Sequence, residues 1–227
     1  MEKIVCALWG SDNPHLLTEL PRALAAAGAT GIRINLQDEA VEPGASLRQV
    51  NTRPQMEAVA QFWVQSSYAP FLAGIHEALA KAGERHAAWL VAESTIIANT
   101  RHPAIPGQRT EGFSQLAFLG LPPRLTHEEW RGIWQGYHTK VAIETQSNFE
   151  YVQNLVVRAL TDDAPPLAGF VEECFPIEAL TDPFVFFDAV GDKVKFDANL
   201  ATMMDSCGRF IDFDRIDVLI TSQFNSK

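Results

Sequence analysis

Between Thr126 and His138 the chain reads Thr-His-Glu-Glu-Trp-Arg-Gly-Ile-Trp-Gln-Gly-Tyr-His, the stretch whose residue types and spacing come closest to chemistry. Thr126 followed three residues later by Glu129 is a capping box, so a helix starts there. Along it Trp130, Trp134, His138 and Val141 recur at steps of three and four, with Ile133 and Tyr137 beside them. One face therefore carries two indoles, an imidazole and a phenol. Imidazole exchanges protons near neutral pH, and flat apolar walls with donor edges suit an aromatic or enolic small molecule. On that reading His138 takes or gives the proton, Tyr137 orients a polar substituent, and Trp130 and Trp134 wall an apolar cavity. The same spacing also describes a helix packing a bulky stripe onto a sheet, with a neutral, hydrogen-bonded histidine in the core. The sequence leaves both readings open.

No second constellation competes with this helix. His76 and His86 fall on different predicted elements, and His127-Glu128-Glu129 lacks the H-E-x-x-H spacing that brings two imidazoles to one helix face. No metal site is expected. G-x-S-x-G, G-x-G-x-x-G and the phosphate-binding P-loop are absent, which removes serine hydrolase, dinucleotide-binding and nucleotide hydrolase readings. Asp162-Asp163, Glu172-Glu173 and the series Asp212, Asp214, Asp217 are expected on solvated faces, and His102 in a solvated loop. Cys6, Cys174 and Cys207 are odd in number and outside any C-x-x-C, so they read as reduced thiols; Cys174 and Cys207 are expected to be buried and inert.

The elements that must hold the helix can be read along the 227 residues. A proline- and glycine-rich stretch over 99–112 splits the chain near its middle, and each half shows the order β-α-β-β-α-β. In the first half the spacing predicts strands over 3–9, 32–36, 55–64 and 87–98 and helices over 14–27 and 68–82, the first entered through Ser11, Asp12 or Asn13 as cap. In the second it predicts strands over 113–121, 149–160, 170–175 and 215–224, the motif helix over 126–146 and a broken helix over 197–207. The fold class is α+β. Two tandem ferredoxin-like units are expected, 1–105 and 112–227, whose antiparallel sheets can cover each other, and a single mixed α+β domain is the alternative left open.

Composition narrows the partners. Eighteen basic and 28 acidic residues give a charge of −10, and 47% of residues are hydrophobic, which excludes a disordered chain. No nucleic acid and no anionic membrane is expected as partner, because both need a basic face. No apolar run is long enough for a membrane span and no signal peptide opens the chain, so a cytoplasmic location is expected. Residues 1–111 carry 9 basic and 11 acidic groups (9 − 11 = −2) and residues 112–227 carry 9 and 17 (9 − 17 = −8). The acidity sits with the motif helix.

The string Thr-x-Glu-Glu-aromatic-x-x-x-Trp-x-x-x-His, followed by Tyr151-Val-Gln-Asn154 and by Cys207-Gly-Arg-Phe-Ile-Asp-Phe-Asp-Arg215 near the end, resembles the EthD-like family of dimeric α/β-barrel proteins over 112–224. The resemblance implies a ferredoxin-like fold whose sheets pair back to back. It also implies a small hydrophobic, aromatic or enolic substrate and acid–base or oxidative chemistry without metal or bound cofactor, as in ether degradation and polyketide tailoring. The family's positions fall on Thr126, Glu129, Trp130, Trp134 and His138, with Tyr151 and Asn154 on the following strand, where the resemblance implies that Tyr151 joins Tyr137 in orienting a polar substituent and Asn154 contacts the substrate. Many members carry histidine where this chain has Asn154, and 182–195 looks like an insertion, so a two-histidine mechanism is not implied. Two alternatives stay open: haem held by the helix histidine, as in some tandem ferredoxin-like proteins, or a non-enzymatic binding or assembly protein whose aromatic stripe is only core. A homodimer is expected. The first half lacks the motif and is expected to stand structurally where a second subunit stands in single-unit relatives.

Overall fold

The computed structural model describes residues 1–11 and 13–226. Its first half comprises β1 (Glu2–Trp9), α1 (Asn13–Ala26), β2 (Thr30–Leu36), β3 (Ala58–Val64), α2 (Ala73–Ala82) and β4 (Arg85–Ile97). The second comprises β5 (Phe113–Leu119), α3 (His127–Arg131), α4 (Thr139–Thr145), β6 (Glu150–Ala159), β7 (Gly169–Phe175), α5 (Pro183–Phe186), α6 (Lys193–Phe210) and β8 (Ile216–Asn225). Of the caps expected for α1, Asp12 lies outside the described residues. The expected elements form, and the broken helix proves longer, running unbroken over Lys193–Phe210 behind an Asp192 cap.

The eight strands close into one antiparallel barrel in the order β1-β3-β2-β8-β5-β7-β6-β4. Reading from β4, each half contributes four neighbours in the same internal order, fourth, first, third, second. The seams are β2 on β8 and β4 on β6, both within one chain. Because helices cover the outside, several strands are buried on both faces and lose the usual polar alternation. Every residue of β7, Gly-Phe-Val-Glu-Glu-Cys-Phe, is buried. Glu172 and Glu173 therefore point to opposite faces of a covered strand, correcting the expectation of a solvated pair. Asp217 is also buried, its carboxylate accepting from the backbone N–H groups of Asn51 and Thr52.

One part of the barrel interior is apolar, filled by Val5, Trp9, Trp89, Phe118, Phe170 and their neighbours. Another part is polar: Arg33 meets Glu172 at 2.6 Å and Glu150 at 2.9 Å, and Lys3 meets Glu93 at 2.6 Å. Burial opposes ionisation of Glu172, but the Arg33 guanidinium and the amides of Gln223 and Gln61 outweigh it and hold the carboxyl well below the usual carboxylate range. Outside the barrel, α1 and α2 press Leu16, Leu20, Leu24, Ile75 and Leu79 onto the first sheet. A 3₁₀ strap over Glu39–Leu47, between β2 and β3, crosses to the second half. Gly44 sits so close to Leu180 and Ile220 that a side chain there would collide. The backbone of Gln49 then exchanges two hydrogen bonds with Val218.

His102 is half-buried, its ring centroid 4.7 Å from that of Phe149. That contact replaces the expected solvated position. No helix among the described residues is long and apolar enough to cross a membrane.

Candidate active site

The motif helix begins as its residues demand. Thr126 Oγ1 accepts from the Glu129 N–H, and the Glu129 carboxylate accepts from the Thr126 N–H, completing the capping box. From Gly132 to His138 the helix widens into a π-helical segment, marked by the Thr139 N–H reaching back five residues to the Trp134 carbonyl. Such segments are rare and concentrate at functional sites. Trp130 and Trp134 lie fully buried with ring centroids 4.7 Å apart. They rest on the start of β7 at Gly169, where a Cβ would come 2.8–2.9 Å from both indoles.

Beneath the helix lies a cavity of about 240 Å3 lined by Trp134, His138, Tyr151, Glu173, Gln115 and Phe210 among others. The sheet builds its floor by register. Gln115 on β5 and Tyr151 on β6 both pair with Glu173 on β7, so amide, carboxyl and phenol form one row across three strands. Directly opposed residues have Cβ atoms ~4.5–5.5 Å apart, near enough to act together. Ala117 and Val171 form the apolar row beside it.

Burial raises the Glu173 carboxyl to about 7 against the opposing pull of amide donors from Asn148, at 2.9 Å, and Gln115. Burial, reinforced by the Glu173 carboxylate, also pushes the Tyr151 hydroxyl up, so it stays protonated. The Gln153 amide donates to both Tyr151 Oη (2.7 Å) and Thr139 Oγ1 (2.8 Å), fixing the phenol. His138 has Nδ1 2.9 Å from Ser206 Oγ, and desolvation lowers its imidazole to about 4. It is neutral at pH 7 and serves as a hydrogen-bonding group rather than a cation. Cys207 lines the same cavity with its thiol pushed up by burial to about 12, which agrees with an unreactive role.

The structure therefore brings together three of the six residues singled out from sequence: Trp134, His138 and Tyr151. Trp130 supports Trp134 from behind. Tyr137 is 42% exposed on the outer side of the helix, with the Arg209 guanidinium 4.8 Å over its ring. Asn154 is buried inside the barrel, its amide 3.5 Å from the Phe170 carbonyl, on the opposite face of β6 from Tyr151. The reason is the two-residue period of a strand: positions three apart cannot share a face. Glu173, Gln115 and the strap residues Leu47 and Gln49 complete the lining and were not singled out from sequence. An acidic pair inside an apolar strand, Phe-Val-Glu-Glu-Cys-Phe, was the available signal.

Haem on His138 does not fit. The imidazole Nδ1 already pairs with Ser206 Oγ at 2.9 Å, and the Phe210 ring lies 4.6 Å from the imidazole. Among the described residues no group of three or more His, Cys, Asp or Glu could hold a metal ion.

The architecture is a closed eight-strand antiparallel barrel with helices outside it, formed within one chain. No protein-family model matches the chain, and no curated protein matches it in sequence. Among solved structures it is similar to an anthrone oxidase-like protein, with a TM-score of 0.55 and 8% identity over 99% of this chain and 93% of that one. It is also similar to a candidate monooxygenase from Lactobacillus acidophilus NCFM, with a TM-score of 0.51 and 9% identity over 100% and 95% of the two chains. At such identities the likeness establishes the fold.

Proposed function

We propose that this chain is an EthD-like enzyme of two tandem ferredoxin-like units, the second of which binds a small aromatic or enolic metabolite and oxidises it with dioxygen. The strand order within each half and the motif helix support the assignment. The observation that carries the reaction is the buried Glu173 carboxyl, held near 7 in an otherwise largely apolar chamber. A base with a pKa near the working pH is suited to removing a proton from an acidified carbon or a phenol.

Glu173 removes the proton, and the resulting anion delocalises onto a substrate oxygen. The protonated Tyr151 hydroxyl and the Gln115 amide hold that oxygen, with His138 at the other side of the chamber. For an activated methylene the balance is CH2 + O2 → C=O + H2O, dioxygen being the oxidant and the electrons coming from the carbanion. Trp134 and Phe210 exclude water and hold the ring flat. The names of the two structural neighbours, an oxidase-like protein and a candidate monooxygenase, fit this chemistry.

An anthrone, whose methylene is acidified by flanking rings, is a suitable test substrate. Oxygen uptake should be accelerated by the protein, and Glu173→Gln should lower the rate by about 10²–10⁴-fold, the range for a general base. Equal rates for the two proteins, or no acceleration, would remove the assignment.

A further inference from the structure

A second, larger space lies against the candidate site, and the strap from the first half forms part of its wall. It measures about 660 Å3 and shares Leu47, Gln49, Gln115, Phe186, Phe187 and Met204 with the inner chamber. The two volumes are thus successive compartments of one cleft, the inner one ending at Glu173. Arg48 lines the outer compartment only. Its Nη2 bonds the exposed Glu42 carboxylate at 2.8 Å, while its Nε is buried without a hydrogen-bond partner. Glu42 takes only one corner of the guanidinium, and the donors it leaves toward the cleft are of the kind an anionic ligand atom pairs with.

Resting on the preceding reading of the inner chamber, we propose that the cleft takes an elongated aromatic molecule bearing an anionic group, carboxylate or sulfonate in type. The anion is held by Arg48 in the outer compartment. Charge fixes the direction of binding. Glu173 repels an anion from the inner end, and the second half as a whole carries −8 against the −2 of the first. Arg48 is a cation brought by the less acidic half into the outer compartment of the more acidic one. The strap holds it in place before any ligand arrives, through the close fit of Gly44 on Leu180 and the paired hydrogen bonds of Gln49 with Val218. Little ordering remains to be done on binding. The ionisable ring then lies inward, beside Glu173 and Tyr151, and the anionic arm lies outward past Phe186 and Phe187.

Two fluorescent ligands of nearly the same shape test this: 8-anilinonaphthalene-1-sulfonate, an aromatic anion, and N-phenyl-1-naphthylamine, its uncharged counterpart. The full chain should bind the anion more tightly, and Arg48→Gln should weaken that binding by about tenfold, ~1.4 kcal/mol. Affinity for the neutral ligand should not change, which also reports that the variant is folded. Arg48→Lys should restore part of the loss. Equal affinities for the two ligands, an unchanged anion affinity in Arg48→Gln, or parallel loss of both ligands would overturn the proposal. These are binding measurements, so a protein that prefers the anion through Arg48 yet oxidises no anthrone would refute the oxidase reading alone.

Discussion

The spaces outside the two sheets are built on the same strand order and filled differently. Over the first sheet, leucine, isoleucine and alanine from α1 and α2 interlock with Ile4, Cys6, Leu8, Ala60 and Phe62 in a continuous aliphatic core. A cross-strand row there, Cys6–Ala60–Ile34, offers no group that could bind a polar atom except a thiol whose ionisation burial suppresses. Over the second sheet the corresponding kind of row is Gln115–Glu173–Tyr151, and the covering helices carry indoles, an imidazole and Phe210. Aliphatic side chains of similar size pack without gaps, whereas rigid aromatic plates on a widened helix leave a chamber. One half has kept density and the other has kept chemistry.

Breaking the chemical side gives the largest effect. Glu173→Gln should cost about two to four orders of magnitude in turnover, while Cys6→Ala on the quiet sheet should leave it unchanged. Next comes packing. Leu20→Ala should destabilise the chain by ~2–5 kcal/mol in a denaturant titration, with turnover per folded molecule intact. Met203→Ala, on the chamber wall, should fall at the low end of that range and raise KM, because the chamber is already incompletely filled.

A third test uses pH. Folded Glu173 keeps its proton up to about 7, whereas an unfolded glutamate releases it near 4.5. The folded state thus binds more protons between those values, and stability falls as pH rises through that window, by on the order of 3 kcal/mol. Glu173→Gln should remove this slope and be the more stable protein above pH 7. His138, lowered to about 4, acts oppositely: its contribution is present above pH 6.5 and is lost as pH falls toward 4. A melting series from pH 4 to 8 on wild type, Glu173→Gln and His138→Gln separates the two. The smallest effect belongs to Tyr137. Tyr137→Ala should forfeit only the exposed contact with Arg209, shift the melting temperature little, and leave turnover unaltered.

The elements of this fold were largely legible from periodicity, and so was the helix that roofs the chamber, because a capping box and a recurrent aromatic stripe are local signals. What could not be read locally concerns the faces. Tyr151 and Asn154 stood together in a family motif, yet strand geometry separates them onto opposite sides of β6. Glu172 and Glu173 looked like a solvated pair because acidic residues usually are; only a sheet covered on both sides makes one a buried ion-pair member and the other a buried carboxyl with a raised pKa. Tyr137 turned outward where the helix widened. The strap over Glu39–Leu47 carries no motif at all, and its place over the other half's cleft is a tertiary fact.

Closure of the barrel within one chain has a consequence for dilution. When a barrel is assembled from two subunits, its integrity depends on their concentration, by mass action. Here both seams, β2 on β8 and β4 on β6, form between parts of one molecule. The barrel and the cleft that spans its halves should therefore persist at any copy number, down to a single molecule per cell.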